Sequence, residues 1–129
     1  MGTVVPHILL VDDEPDLRDL LRMFLLLELH PGGVRITEAQ TGEDALTACT
    51  HDHVDVIVLD LHLRRRITGF DVLRGLRRQP ADHPFVVAWS ADSAALAQAA
   101  ALGADRTVEK GTDMVVLSEA IRGCLAAAN

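Results

Sequence analysis

Residues 54–60 of the chain read VDVIVLD, with three valines, an isoleucine and a leucine ahead of a final carboxylate. A short, nearly continuous apolar run rich in β-branched residues is typical of a strand buried on both faces. Both faces are buried when helices cover a parallel sheet on either side, and such open sheets bind ligands at the carboxyl ends of their strands. The run therefore predicts a buried parallel strand, and it places Asp60 at the edge where a site is expected.

Strand-like and helix-like patterns alternate five times along the chain. The other strands are predicted over residues 7–11, 34–39, 85–89 and 106–109. Apolar periodicity and capping residues predict helices over residues 15–29, 41–50, 69–78 and 93–103 and after residue 112, with caps at Thr41, at Asp92 or Ser93, and at Thr112. Pro31, Pro80 and Pro84 fall in the predicted breaks. This alternation indicates an α/β protein with a parallel sheet between two helical layers.

The composition bounds the class of protein. A chain of 129 residues with 49% hydrophobic residues fits one compact domain. A net charge of -7 argues against direct nucleic-acid binding, which needs a basic face. Two cysteines are too few for a disulfide framework and are expected to be free, buried thiols. The sequence shows neither a signal peptide nor an apolar run long enough to cross a bilayer, so we expect a cytoplasmic protein without membrane contact.

Reactive side chains follow four of the five predicted strands. Asp12 and Asp13 follow the first, Asp60 ends the third, Ser90 follows the fourth and Lys110 follows the fifth. Three carboxylates at neighbouring strand ends repel one another unless a cation lies between them. Mg²⁺ fits this role because it binds one or two carboxylates and keeps waters that phosphate oxygens can replace. A carboxylate can also attack a phosphoryl group and form an aspartyl phosphate. The pattern therefore predicts phosphate chemistry around Mg²⁺.

At these residues the chain resembles the receiver domain of bacterial response regulators, the family of the single-domain chemotaxis receiver. The resemblance covers nearly the whole chain and is carried, in sequence order, by Asp12-Asp13, Asp60, Gly69, Ser90-Ala91 and Lys110. It implies a flavodoxin-like (βα)5 three-layer sandwich whose five-stranded parallel sheet has the order 2-1-3-4-5. It also implies that residues 1–129 form a single receiver domain with no output domain, either as a stand-alone protein or as part of a longer regulator.

The resemblance implies a role for each of these residues. Asp60 would be the phosphoacceptor, Asp13 and Asp60 would bind Mg²⁺ directly, and Asp12 would act on the metal through water. The remaining contacts would come from the backbone carbonyl of His62, which completes the metal ligands, and from Ser90, Lys110 and the Ala91 amide, which hold the phosphoryl oxygens.

The resemblance also implies partners. The phosphoryl donor would be a sensor histidine kinase or a histidine phosphotransfer protein. The receiver would catalyse its own phosphorylation and dephosphorylation, so it would not be an enzyme acting on other substrates. A homodimer or a downstream protein would be contacted through the last strand and the last two helices.

The chain departs from the family pattern around the site. Arg64 stands where a proline is usual, and it opens a run of three arginines in a loop that is about one residue longer. The run reads either as a solvated loop or as a surface that attracts an acidic partner. Thr107 stands where an aromatic switch residue is common, and Gly111 replaces a usual proline. These differences predict conserved chemistry with an altered readout.

Other interpretations remain open for the same residues. Asp13 or Glu14 could cap the first helix, Asp60 and Ser90 could be turn residues, and Lys110 could be an ordinary surface lysine. A phosphatase resembling the haloacid dehalogenases would also use an aspartyl nucleophile, but it wants an acid where His62 stands. A pseudo-receiver that only binds partners is the main alternative function.

Overall fold

The computed structural model describes residues 5–29, 32–64, 66–78 and 83–127, so Pro31, Arg65 and Pro80 lie outside the described residues. Within that part of the chain, five strands and five helices alternate. They are β1 (His7–Val11), α1 (Pro15–Glu28), β2 (Arg35–Ala39), α2 (Gly42–His51), β3 (Val56–Asp60), α3 (Gly69–Arg77), β4 (Phe85–Ser90), α4 (Ser93–Ala101), β5 (Arg106–Glu109) and α5 (Met114–Ala127). The predicted elements are confirmed, with boundaries that differ by at most two residues.

All strand pairs of the sheet are parallel, and the strand order is β2-β1-β3-β4-β5. The buried residues form two clusters, one on each face of the sheet. One cluster packs α2, α3 and α4 against one face, and the other packs α1 and α5 against the opposite face. The flavodoxin-like three-layer sandwich that the resemblance implied is therefore confirmed.

The central strands are buried because helices cover them on both sides. Every residue of β1 and of β3 is buried, which confirms the prediction made from residues 54–60. The outer strand β5 is different, since only Val108 of its four residues is buried. The carboxyl ends of β1 and β3 therefore lie in the middle of the sheet edge, where a carboxylate is shielded from water.

Strand alternation decides which side chains share a face at that edge. Successive side chains point to opposite faces, so residues two apart share one. Val58 and Val108 belong to the cluster on the α1 and α5 side, as does Trp89 of β4. Asp60 follows Val58 by two residues within β3 and is directed to that same side, whereas Thr107, the neighbour of Val108, is directed to the other.

The helix starts confirm some predicted caps and correct others. The Thr41 hydroxyl accepts a hydrogen bond from the Asp44 amide, and the Asp92 carboxylate accepts from the amides at the start of α4. The prediction for α5 was wrong: the Asp113 carboxylate accepts from the Val115 amide at 3.0 Å. The Thr112 hydroxyl instead donates to the Glu109 carbonyl, because the chain turns there before the helix begins.

The expectations drawn from composition have mixed outcomes. Both cysteines are free, and Cys124 is buried, but Cys49 is only half-buried. Burial raises the pKa of the Cys49 thiol to about 11, so it stays protonated at neutral pH. Among the described residues, no helix is both long enough and apolar enough to span a membrane.

Candidate functional site

Three carboxylates converge at the carboxyl edge of the sheet. Asp12 and Asp13 follow β1, Asp60 ends β3, and one carboxylate oxygen from each lies within 4.8 Å of the others. Asp12 and Asp60 are each only 2% exposed, and Asp13 is half-buried. The structure thus brings together the three acids that the sequence singled out, and it does so in a place with little water to separate their charges.

A backbone amide orients each of the two buried carboxylates, Asp12 and Asp60. The Glu14 amide donates to Asp12 at 2.9 Å, and the His62 amide donates to Asp60 at 3.0 Å. These bonds are formed with the loop that follows each acid, so the carboxylates are held in place before any ligand arrives. Glu14 is the first flanking residue of α1, and its side chain makes no capping hydrogen bond, so the reading of Glu14 as a side-chain cap was wrong.

Lys110 is the cation that faces these acids. Its Nζ lies 3.3 Å from an oxygen of Asp12 and 3.3 Å from an oxygen of Asp60. Burial raises the pKa of Asp60, and the Asp12 charge adds to this rise, while the His62 amide and Lys110 oppose it. The exposed guanidinium of Arg64 lies near Asp13, so two cations face three carboxylates, and the two buried carboxylates share the ammonium.

The donor set at this edge suits a hard cation. Carboxylate oxygens, together with carbonyl and water oxygens, are the ligands that Mg²⁺ prefers, whereas softer metals prefer imidazole or thiolate. The three acids are the cluster of potential metal-binding side chains found among the described residues. A divalent cation would remove their mutual repulsion, so the residues present fit Mg²⁺.

Ser90 ends β4 beside this cluster and is fully buried. Its hydroxyl oxygen accepts from the Asp92 amide at 3.0 Å, so its own proton remains available for donation. The Ser90 carbonyl accepts from the Lys110 amide at 2.9 Å, which ties the ends of β4 and β5 together. Strand pairing matches Asp60 with Trp89, so Ser90 lies one residue beyond the partner of Asp60 on the adjacent strand.

Gly69 allows the start of α3 to approach Asp60 closely. A Cβ atom at this position would lie 2.4 Å from the Asp60 carbonyl oxygen and 2.6 Å from the Leu61 Cα. Both are backbone atoms that cannot move aside, so a side chain does not fit there. A capping box between Thr68 and Asp71 fixes the helix start at the same place. Glycine is therefore required for the loop to close beneath the site.

Two exposed side chains lie at the mouth of the site. His62 follows Asp60 by two residues, and its Nε2 lies 3.9 Å from a carboxylate oxygen of Asp92. Both side chains are more than half exposed, so the pair is a weak contact at the solvent boundary. The contact that orients Asp60 comes from the backbone of His62 and not from its imidazole.

Arg64 contacts the acidic cluster, which the sequence did not predict. Its amide donates to Asp13 at 3.1 Å, and its guanidinium nitrogens lie 4.0 Å from Asp13 and 3.9 Å from Glu14. The interpretation of Asp13 as a cap of α1 is not supported either, because its carboxylate accepts from this loop and not from α1. The position of Arg64, four residues after Asp60, was the available signal for this contact. The direction of the Arg64 side chain, however, depends on the path of the loop.

Thr107 and Trp89 differ sharply in their surroundings. Thr107 is exposed on β5, so the position that is often aromatic carries a short polar side chain in contact with solvent. Trp89 is 5% exposed and lies on the opposite side of the sheet, below Lys110. The sequence did not single out Trp89, although its place directly before Ser90 at the end of a predicted strand was an available signal.

The sequence matches the response regulator receiver domain family over residues 8–122. The nitrate/nitrite response regulator protein NarP of Escherichia coli is 36% identical over 120 residues, which cover 90% of this chain and 53% of NarP. The response regulator SaeR of Staphylococcus aureus is 31% identical over 80 residues, or 62% of this chain and 32% of SaeR. The chain therefore spans about half the length, or less, of these relatives.

A solved structure agrees with the fold over almost the whole chain. The response regulator protein TrrA of Thermotoga maritima, whose crystal structure is in complex with Mg(2+)-BeF, is 29% identical. The two structures superpose with a TM-score of 0.82, and the aligned region covers 93% of this chain and 99% of the TrrA chain. The similarity thus extends to the region that contains the acidic cluster.

Proposed function

This chain belongs to the response regulator receiver domain family, and on that premise we propose that it is a signalling switch controlled by phosphorylation of Asp60. The observation that carries the proposal is the convergence of Asp12, Asp13 and Asp60 with Lys110 at one edge of the sheet. Buried carboxylates with a single facing ammonium are costly in a purely structural role. A site that binds a cation and a phosphoryl group makes use of that excess charge.

Mg²⁺ is the proposed cofactor. Asp13 and Asp60 would bind it directly, the backbone carbonyl of His62 would add a third protein ligand, and Asp12 would act through water. When bound, the metal neutralises negative charge on the carboxylates and on the phosphoryl oxygens. The TrrA structure in complex with Mg(2+)-BeF supports this assignment by similarity.

The side chains of the protein would carry the transfer itself. An oxygen of Asp60 forms the new bond to phosphorus, while the bond from phosphorus to the nitrogen of a donor phosphohistidine breaks and the donor leaves as free histidine. Lys110 and the Ser90 hydroxyl would hold the phosphoryl oxygens, with the Ala91 amide beside them. Because the residues are already positioned, catalysis amounts to orientation and charge stabilisation.

The donor would be a sensor histidine kinase or a histidine phosphotransfer protein. Hydrolysis of the aspartyl phosphate would reset the switch, so the protein catalyses its own modification and no reaction of another substrate. Residues 1–129 would act as one receiver domain. A second copy or a downstream protein would contact α4, β5 and α5, where three residues of β5 are exposed.

The test is phosphorylation by a small donor. The protein is incubated with acetyl phosphate and Mg²⁺, and intact mass and Trp89 fluorescence are recorded. We expect one added phosphoryl group in the wild type and none in Asp60→Asn or without Mg²⁺. Beryllofluoride should change the Trp89 fluorescence without adding mass. An unlabelled wild type, or equal labelling of Asp60→Asn, would contradict the proposed switch.

A pseudo-receiver that only binds partners is the second candidate function. Two observations favour it: the Arg64 guanidinium lies beside Asp13, where it opposes a metal ion, and Thr107 replaces the common aromatic switch residue. The same experiment separates the two functions, because a pseudo-receiver would gain no phosphoryl group from acetyl phosphate in the presence of Mg²⁺.

A further inference from the structure

Trp89 lies against the ammonium that faces the phosphoacceptor. The Lys110 Nζ is 5.8 Å from the centroid of the indole ring. A cation within about 6 Å of an aromatic face is attracted by its negative face, and tryptophan is the strongest such partner. Trp89 pairs with Asp60 on β3 and with Val108 on β5. The ring therefore lies between the strand of the phosphoacceptor and the strand of the lysine.

The indole N–H of Trp89 is buried without a hydrogen-bond partner among the described residues. A buried donor that lacks an acceptor is unfavourable, and a purely apolar side chain at the same position would avoid it. The polar end of the ring therefore contributes nothing visible to the site. What the indole provides is its volume in the core and its face toward Lys110.

Lys110 needs a contact that still holds its ammonium after a metal ion has bound to the carboxylates. Its side chain is a flexible four-carbon stem, and its other near partners are the carboxylates of Asp12 and Asp60, each at 3.3 Å. A divalent cation neutralises those carboxylates and repels the ammonium. The indole face carries no net charge for the metal to neutralise. Its attraction for Lys110 therefore persists when the carboxylates no longer hold the ammonium.

We propose that Trp89 is a positioning residue for phosphotransfer, and that its indole face holds the Lys110 ammonium beside Asp60 when metal occupies the carboxylates. The inference rests on the proposed function, since it assigns a role within that reaction. Trp89 would act only through Lys110 and would not touch the phosphoryl group. Its removal should therefore slow acyl phosphate formation without weakening Mg²⁺ binding.

A matched pair of variants separates the effect of the aromatic face from the effect of side-chain volume. Trp89→Phe and Trp89→Leu both shrink the side chain and remove the unpaired N–H, but only phenylalanine keeps an aromatic face. Labelling by acetyl phosphate at saturating Mg²⁺ is followed by intact mass. We expect Trp89→Leu to be slower than Trp89→Phe by about fivefold to thirtyfold, which corresponds to about 1 to 2 kcal/mol at 1.36 kcal/mol per factor of ten. Trp89→Met serves as the ring-free variant if Trp89→Leu does not fold.

A double-mutant cycle shows whether the effect passes through the lysine. Lys110→Met removes the ammonium, so replacing the ring of Trp89 in that background should produce no further slowing. A role limited to core packing would slow both backgrounds equally. Mg²⁺ affinity, measured by titration, should be the same in the phenylalanine and leucine variants.

The outcomes distinguish this inference from the proposed function. A wild type that acetyl phosphate does not label would overturn both. A labelled wild type with equal rates for Trp89→Phe and Trp89→Leu would overturn the positioning role alone. The positioning role would also be overturned if loss of the Trp89 ring slowed labelling in the Lys110→Met background as much as in the wild type.

Discussion

Both the amino edge and the carboxyl edge of the sheet contain buried polar groups, but the two edges differ in how those groups are paired. At the amino edge, the imidazole of His7 is 4% exposed, and both of its nitrogens are bonded, to the His53 carbonyl at 2.9 Å and to the Thr37 hydroxyl at 2.7 Å. Since a carbonyl only accepts, Nδ1 donates to the His53 carbonyl, and the Thr37 hydroxyl, which can donate or accept, partners Nε2. At the carboxyl edge, the buried carboxylates of Asp12 and Asp60 share one ammonium, and Asp13 lies 4.0 Å from the exposed guanidinium of Arg64.

The acids of the amino edge are paired as well. Asp55 accepts from the His7 amide at 2.8 Å, and its other oxygen lies 3.0 Å from the His53 imidazole. Asp52 lies 2.9 Å from Arg35, and this contact lowers the pKa of Asp52. At the amino edge, the acids that surround the buried imidazole are partly exposed, and each has a partner of its own. At the carboxyl edge, two buried carboxylates share one ammonium, which is a costly arrangement unless a ligand adds positive charge.

The largest expected effect concerns metal binding at the carboxyl edge. Asp13→Asn removes a proposed direct ligand and should weaken Mg²⁺ affinity by about tenfold to a hundredfold. The matched control is Asp55→Asn, which changes an acid at the other edge and should leave Mg²⁺ affinity unchanged. The Mg²⁺ affinities of both variants are measured by titration with Mg²⁺, with Trp89 fluorescence as the signal. Equal affinities in the two variants would contradict the assignment of Asp13.

The opposite result is expected at the amino edge. Asp55→Ala leaves the buried His7 amide without its acceptor and should lower the unfolding free energy by about 1–3 kcal/mol. Labelling of Asp60 by acetyl phosphate should be unaffected while the protein remains folded. Urea denaturation measures the loss, with Asp19→Ala as a control that removes an exposed carboxylate of α1. A loss of labelling in folded Asp55→Ala would show that the two edges are coupled.

The excess charge at the carboxyl edge predicts a dependence of stability on pH. Because burial raises the pKa of Asp60 above its ordinary 3.8, the folded state holds this proton more tightly than the unfolded state. The Asp60 charge therefore costs stability at pH 7, and this cost disappears as the pH falls through its pKa toward 3.8. Without metal, Asp60→Asn should raise Tm by about 4 °C at pH 7, the shift that 1 kcal/mol produces in a domain of this size.

Thermal melts in EDTA at several pH values test that prediction. The gain in Tm from Asp60→Asn should shrink between pH 7 and pH 4. Saturating Mg²⁺ should raise the Tm of the wild type more than that of Asp60→Asn, since a ligand stabilises the state that binds it. A gain that is constant across this pH range would mean that the Asp60 charge is not its source.

The smallest expected effect concerns Arg64. Its guanidinium is 80% exposed and lies 4.0 Å from Asp13, so its charge opposes a cation but is partly screened by solvent. Arg64→Gln should raise Mg²⁺ affinity by about twofold to fivefold at low ionic strength, and the gain should fade in high salt. Arg64→Lys keeps the charge and is the control. An unchanged affinity in Arg64→Gln would show that the arginine does not oppose the metal.

Much of the site could be predicted because it depends on strand ends. Parallel strands bring their carboxyl ends to one edge, and the strand order that the family resemblance implied places the ends of β1 and β3 side by side, with Lys110 at the same edge. The contacts of Arg64 could not be predicted in this way. They depend on the path of the loop after β3, in which the Arg64 amide donates to Asp13.

Other features depended on close packing between distant segments. The need for glycine at position 69 arises because the start of α3 touches the backbone of Asp60. The cap of α5 moved from Thr112 to Asp113 because the turn after β5 uses the Thr112 hydroxyl. In both places, atoms within about 3 Å decide the outcome, and sequence patterns do not resolve distances of that size.

The sequence by itself determined the α/β class, the alternation of five strands and helices, and the set of reactive residues at the strand ends. It did so because apolar periodicity and chain direction are local properties. The tertiary structure alone decided how those charges are arranged: that Asp12 and Asp60 share one ammonium, how Arg64 approaches Asp13, and how Trp89 lies against Lys110. These are properties of distance and burial, which arise only when segments far apart in the chain pack together.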